Sequence, residues 1–289
     1  METTQPTGNE QSRLWNGSAG HAWVDAQALL DRLFQPFEDL LVDAACTASA
    51  AASTRRVLDV GCGTGGITLA VAKQLGAAGH CRGIDISQPM IDTARTRAAQ
   101  QGMPATFVCA DAQTHAFVPG SFDLLISRFG VMFFDEPVRA FVNLRHAAAR
   151  DASLCFIAWR GGAENPFMTT AERAAAPLLP NLPSSKPGAP GQFAFADRAH
   201  VQSLLQQSGW QHIAIEPINV PCTLPEKDLL GYLSRMGPVG AALQQADERT
   251  RAQVIDTVRA AFEPFVHGDE VRLVAACWSI TARAGGIAA

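Results

Sequence analysis

The sequence predicts an α/β fold in which a mostly parallel sheet carries helices on both faces. Three observations predict it. From residue 56 onward, short apolar runs alternate with helical patterns, the rhythm of βαβ units. The runs Phe122-Asp123-Leu124-Leu125-Ile126-Ser127 and Leu154-Cys155-Phe156-Ile157-Ala158-Trp159 are almost continuously apolar, as strands buried on both faces are. Finally, Val57-Leu58-Asp59-Val60 leads straight into Gly61-Cys62-Gly63-Thr64-Gly65-Gly66, a strand entering a glycine turn that opens a helix.

The elements follow in order. Residues 1–12 are polar and are expected to form a disordered tail. Residues 13–54 are expected to form a helical cap of one or two helices. There Leu29, Leu30, Leu33, Phe34, Phe37, Leu40 and Leu41 recur at helical spacing. Strands are expected at 56–60, 81–86, 105–109, 122–127 and 153–159, all within a core unit of 55–160. Helices are expected at 65–76, 88–101 and 137–149, with a short one near 112–116. Residues 161–196 are predicted as a lid loop, because prolines 166, 177, 180, 183, 187 and 190 crowd a segment that also holds Phe167, Met168, Phe193 and Phe195. The rest, 197–289, is read as the C-terminal part of the core. It holds a helix at 197–208 capped by Asp197, a strand at 212–220, a helical insert at about 226–265, and a last strand at 271–281.

Composition narrows the function. At 289 residues and 47% hydrophobic, the chain can bury a large core. A formal net charge of −4 without a Lys/Arg cluster argues against nucleic acid as partner. The seven cysteines include no Cys-x-x-Cys pair, so neither a zinc site nor a disulfide framework is expected. The polar start and the lack of a long apolar run predict a cytoplasmic protein that neither enters nor spans a membrane, as a monomer or homodimer.

The glycine turn carries the chemistry. Gly61 and Gly63 let the backbone turn tightly and approach a ligand. The helix behind them points free N–H groups at a carboxylate or phosphate. Asp59, two residues before the first glycine, would repel a pyrophosphate and attract an ammonium group. Two further acids end the next apolar runs: Asp85 lies 26 residues after Asp59, and Asp111 another 26 on.

The run Leu58 to Gly65, with Asp85 and Asp111 behind it, resembles the motif set of class I S-adenosylmethionine (SAM)-dependent methyltransferases. The group most resembled is the broad small-molecule one that includes the quinone-biosynthesis C-methyltransferases. The resemblance implies a Rossmann-like, seven-stranded sheet, with SAM as cofactor and S-adenosylhomocysteine as its product. It implies that Asp59 and Gly61 hold the methionine moiety, with Gly63, Thr64 and Gly65 forming the turn beside it. Asp85 would take the ribose hydroxyls, with Ile86 and Met90 against the adenine. Asp111, Ala112 and Gln113 would meet the adenine edge, and Ser127 and Arg128 would lie near the transferable methyl. An aromatic residue of the N-terminal segment folds over the cofactor in related enzymes, which makes Trp15 and Trp23 candidates; ordinary packing of the first helices is the alternative.

No histidine follows the fourth strand, and Arg128-Phe129 supplies no acid for a metal, so no metal is expected. His21 is the best histidine candidate for a catalytic base. Arg128 either holds an anionic substrate group or pairs with Asp123, Asp135 or Glu136. Phe129, Met132, Phe133, Trp159, Phe167, Met168, Phe193, Phe195 and Met236 would line an apolar pocket for a small, flat substrate. The leading expectation is methyl transfer to such a molecule, with catalysis mainly by positioning. One rival is an NAD(P)-dependent oxidoreductase, because Gly61, Gly63 and Gly66 also fit Gly-x-Gly-x-x-Gly. Yet the single tyrosine, Tyr232, has Met236 where a short-chain dehydrogenase needs lysine. The other rival is a SAM-binding protein without transferase activity.

Overall fold

The computed structural model describes residues 8–47, 55–182 and 188–285. Four helices come first: α1 (Gly8–Asn16), α2 (Ser18–Asp25), α3 (Gln27–Leu33) and α4 (Gln35–Thr47). The expected tail is therefore corrected, since the helix begins at Gly8, while residues 1–7 lie outside the described residues. Leu30, Leu33, Phe37, Leu41 and Ala45 recur three or four residues apart and are all buried, so α3 and α4 turn one apolar stripe onto the core.

The core alternates as expected: β1 (Arg55–Val60), α5 (Gly66–Leu75), β2 (Gly79–Asp85), α6 (Gln88–Gln101), β3 (Ala105–Cys109), β4 (Phe122–Arg128), α7 (Pro137–Ala147) and β5 (Ala148–Trp159). Residues 112–116 form a turn rather than a helix. Then come α8 (Pro166–Ala175), α9 (Arg198–Gln207), β6 (Trp210–Pro225), α10 (Glu226–Arg235), α11 (Gly237–Leu243), α12 (Glu248–Ala261), β7 (Val266–His267) and β8 (Glu270–Ala284). The strand order is β3-β2-β1-β4-β5-β8-β6. β1 to β5 run parallel, and β8 lies antiparallel between β5 and β6. The eighth strand, one more than expected, is the two-residue β7, which folds back on the start of β8.

The lid segment also differs from expectation. Pro166 sits in the first turn of α8, where its missing N–H costs nothing. The next proline is Pro177, so ten residues are free to form a helix. The insert resolves into α10, α11 and α12, and α8 packs against α11 and α12 to make a helical roof. β6 is the outermost strand, and it carries Pro217, Pro221 and Pro225 at every fourth residue. Asp197 caps α9 as expected, its carboxylate accepting from the Ala199 amide at 2.8 Å. Among the described residues, no helix is long and apolar enough to cross a membrane.

Candidate active site

The turn after β1 is built of backbone touching backbone. Gly61 (φ 67°) and Gly65 (φ 83°) adopt the left-handed conformation. A Cβ on Gly61 would stand 2.6 Å from the Gly130 Cα, so the turns after β1 and β4 are in direct contact. Ser127 Oγ joins them: it donates to the Val60 carbonyl at 2.7 Å and accepts from the Gly130 amide at 3.2 Å. Gly63 (φ 53°) is different. A Cβ there would meet only the Met90 sulfur, at 3.6 Å, so this face of the turn is open to a ligand.

The three acids occupy different settings. Asp85 ends β2, with Oδ2 accepting from the Gly63 amide at 2.8 Å and Oδ1 from the Ser87 amide at 2.9 Å. Burial raises its pKa, and each oxygen keeps lone-pair capacity for a further donor. Asp59 is only 1% exposed and accepts from Thr68 Oγ1 at 2.6 Å. Burial pushes its pKa up to about 6 despite that bond. Its carboxylate is thus turned into the protein beneath the turn, not displayed on it. Asp111 accepts from the Gln113 amide at 2.8 Å, and Gln113 Oε1 in turn accepts from the Glu136 amide at 2.9 Å. Ala112 is buried beside them.

Sequence reasoning considered Asp135 only as a partner for Arg128. The structure sets it electrostatically beside Asp111, with one buried carboxylate oxygen lacking a hydrogen-bond partner among the described residues. Nothing in its sequence position signals this, because it depends on how the turn after β4 folds back toward the turn after β3.

Arg128 pairs with none of the three acids expected. Asp123 is held by Arg56 at 2.6 Å, and Glu136 by Arg139 at 3.4 Å. The Arg128 guanidinium instead lies 5.4 Å from the centre of the Phe34 ring. The cap docks on the turn after β2. The Trp15 carbonyl accepts from Ser87 Oγ at 2.6 Å, and Asn16 bridges the Ile86 carbonyl (3.0 Å) and the Gln88 amide (2.8 Å). The Trp15 ring meets Phe133 edge-on at 5.0 Å and Trp23 at 6.2 Å. Arg97 ties Asp31 of α3 (2.6 Å) to the Thr64 carbonyl (2.8 Å).

An aromatic cluster closes the apolar end. Phe129 stacks on Trp159 with ring centres 4.3 Å apart. Phe34, Phe37 and Phe167 surround the pair, mostly edge-on. Phe129 holds φ 63°, a conformation costly for a bulky residue and sustained here by that packing. The Met132 sulfur receives the Trp159 amide at 3.4 Å. Phe133, Met168, Phe193 and Met236 are partly buried and pack against the main hydrophobic core. Two corrections follow. Phe195 packs between Phe141 and Phe156, in the core rather than in the pocket wall. Phe34 and Phe37, read from sequence only as cap packing, pack into one aromatic cluster with Phe129 and Trp159.

His21 is not brought to the site. It is exposed on α2, with Nδ1 2.9 Å from the Gly17 carbonyl of its own helical turn. The remaining histidines are exposed too, except His115, which lies edge-on to Phe117. No group of His, Cys, Asp or Glu among the described residues could hold a metal ion.

Residues 57–150 match the methyltransferase-domain family. The chain is 35% identical over 124 residues to aklanonic acid methyltransferase of Streptomyces sp. (strain C5), a match that covers 41% of this chain and 54% of that protein. It is 30% identical over 209 residues to an uncharacterised protein of Mycobacterium bovis, covering 71% of this chain and 70% of the other. The chain belongs to the class I SAM-dependent methyltransferases. Its cofactor is SAM. The fold agrees: the YcgJ protein of Bacillus subtilis superposes with a TM-score of 0.56 over 86% of this chain and 98% of its own, at 15% identity.

The residues present fit the cofactor of the class I methyltransferases. Gly63 leaves an open cradle, Asp85 has spare acceptor capacity for two hydroxyls, and Asp111 with the unpartnered Asp135 oxygen suits an amino group. SAM supplies a methyl group already activated on a positively charged sulfur.

Proposed function

We propose that this methyltransferase methylates a small, flat, apolar or aromatic metabolite, mainly by holding it in line with the donor. The observation that carries this reading is the cluster of Phe34, Phe37, Phe129 and Trp159 beside the glycine turn, with no histidine among the described residues facing it. Such a wall sorts acceptors by shape and excludes water. Alignment alone can remove about 7–11 kcal/mol of a barrier. Without a base, the acceptor arrives already nucleophilic: an amine, a thiolate, or the anion of an acidic phenol, enol or carboxylic acid. The aklanonic acid enzyme, by its name, acts on an acid, and it supports the last of these choices.

In this reading Asp85 and Gly63 orient the ribose, and Asp111, Gln113 and Asp135 receive the adenine edge. The Ser127 hydroxyl locks the turns after β1 and β4 together so that the donor sits opposite the wall. Trp15 and Trp23 close over the ligand, docked through Asn16 and Ser87. The test is turnover. Purified protein with SAM and a panel of aromatic amines, thiols, phenols and carboxylic acids releases S-adenosylhomocysteine in step with a methylated product. His21→Ala leaves the pH–rate profile unchanged. Tight binding of S-adenosylhomocysteine with no turnover across the panel would leave a SAM-binding protein without transferase activity.

A further inference from the structure

Tyr232 is the single tyrosine of the chain, and the function described so far makes no use of it. It lies on α10 of the helical roof, and its ring packs against the main hydrophobic core. Its hydroxyl makes no hydrogen bond to any described residue. A tyrosine held in this way usually finds a partner for its O–H. The oxygen is not sealed off as Arg55 Nε and Asp135 Oδ2 are, so a ligand can reach it.

The surroundings show where the hydroxyl points. Asp228, one helical turn earlier on the same face of α10, pairs with Arg32 of α3 at 3.1 Å, so this face of the roof addresses the cap. Phe34, two residues past Arg32, belongs to the aromatic cluster. α3 also packs against β6. Cys222 of β6, 2% exposed, is near enough to act on the ionisation of the hydroxyl. Arg128, whose guanidinium lies over the Phe34 ring, acts on Cys222 in turn. The hydroxyl therefore looks from the roof toward the place where α3, β6 and the end of β4 meet, on the Phe34 side of the cluster.

Burial, with a smaller contribution from Cys222, pushes this phenol up to about 12. It stays protonated near neutral pH and serves as a donor, not a base. No carboxylate acts on it, so an oxygen anion can approach without meeting a like charge there. A donor at this point distinguishes nucleophiles. An amine has one lone pair, which must stay free for the methyl group, whereas a phenolate oxygen has lone pairs to spare. A hydrogen bond donated to oxygen also favours the ionised acceptor over the neutral one, which matters in a site without a base.

We propose that the Tyr232 hydroxyl donates a hydrogen bond to a phenol or enol oxygen of the acceptor and thereby selects oxygen-bearing aromatic acceptors; this rests on the flat-acceptor reading above. Tyr232 keeps its own proton throughout, and the acceptor's proton leaves to water before the transfer.

The experiment uses the full chain and Tyr232→Phe, each saturated with S-adenosylhomocysteine. Both are titrated calorimetrically with 2-naphthol, 2-naphthylamine and 2-methylnaphthalene, which share one ring system and differ in the group offered to the hydroxyl. The variant keeps the aromatic ring and removes only an unpartnered hydroxyl, so it folds as wild type does. Tyr232→Phe is expected to weaken 2-naphthol roughly fivefold to tenfold and to leave the other two unchanged. Absorbance of bound 2-naphthol, followed as pH rises, gives a second reading: it ionises about one pH unit lower on wild type than on the variant. Unchanged 2-naphthol binding overturns the proposal. So does parallel weakening of 2-naphthol and 2-methylnaphthalene, which would make Tyr232 a packing residue, or equal weakening of 2-naphthylamine, which would remove the selectivity. All three results leave the flat-acceptor reading standing. Wild type that binds S-adenosylhomocysteine but none of the three probes overturns both.

Discussion

The glycine turn and the aromatic cluster adjoin at Gly130 and Phe129 but are built in opposite ways. The turn is backbone against backbone: Gly61 on Gly130, the Gly63 amide on Asp85, the Ser127 hydroxyl on Val60. The wall is side chain against side chain, with Phe34, Phe37, Phe129 and Trp159 in mutual ring contact. A site made of backbone tolerates little change and keeps one ligand. A site made of ring faces can be reshaped one volume at a time. The contrast suits an enzyme family with one donor and many acceptors.

The sharpest way to break this comparison is Phe37→Ala. Phe37 is fully buried and touches three of the wall's rings, so the expected loss is ~3–5 kcal/mol in denaturant unfolding. Binding of S-adenosylhomocysteine should survive in the folded fraction; its loss would mean that wall and turn are one unit.

Asp59 gives a pH test of the turn. Its pKa rises from the ordinary 3.8 to about 6 on folding. The folded state therefore holds more protons between those values, and this group's contribution to stability is lost as pH rises through that window. Asp59→Asn should remove a penalty on the order of 3 kcal/mol above pH 6 and change little below pH 4. Unfolding curves of both proteins at pH 4, 5 and 7 measure the difference, and a pH-independent difference would refute it.

Gly61→Ala sharpens the contrast in the other direction. Its Cβ would meet backbone at 2.6 Å, and the φ of 67° disfavours any side chain. The expected cost in stability is about 1–3 kcal/mol, with cofactor binding lost. Gly63→Ala has room beside Met90 and should cost only about 1–2 kcal/mol, so a calorimetric comparison of the pair separates turn geometry from ligand contact. The smallest effect is expected far from both regions: Asp197→Ala removes the cap of α9 at a cost of ~1 kcal/mol and leaves ligand binding untouched.

The turn was more legible in the sequence than the wall, for a physical reason. Gly61, Gly63 and Gly65 and the acids at 85 and 111 are consequences of local backbone geometry, so they recur at fixed spacing. Their positions at the strand ends were readable directly. The aromatic cluster assembles from the α3–α4 junction, α4, the turn after β4, β5 and α8, segments distant in the chain, and helical spacing cannot say which neighbour Phe37 will meet. Phe195 shows the converse: an aromatic in the right segment turned toward Phe141 and Phe156 instead. His21 qualifies as a base by its chemistry, but the chemistry of imidazole carries no information about exposure, and its helix turns it to solvent. The ten-residue α8 is hidden by the overall density of six prolines, whereas the spacing between Pro166 and Pro177 is what leaves room for it.

The prolines of β6 have a consequence for how copies of this protein meet. In an antiparallel strand, residues of one parity send their nitrogens to one side. Pro217, Pro221 and Pro225 share that parity, and their ladder with β8 persists, so the missing N–H groups belong to the outer margin. A strand from another molecule that approached this margin would find, over residues 217–225, donors only at Asn219 and Thr223 and none at the three prolines. This rim of the sheet is thereby a poor template for a further strand.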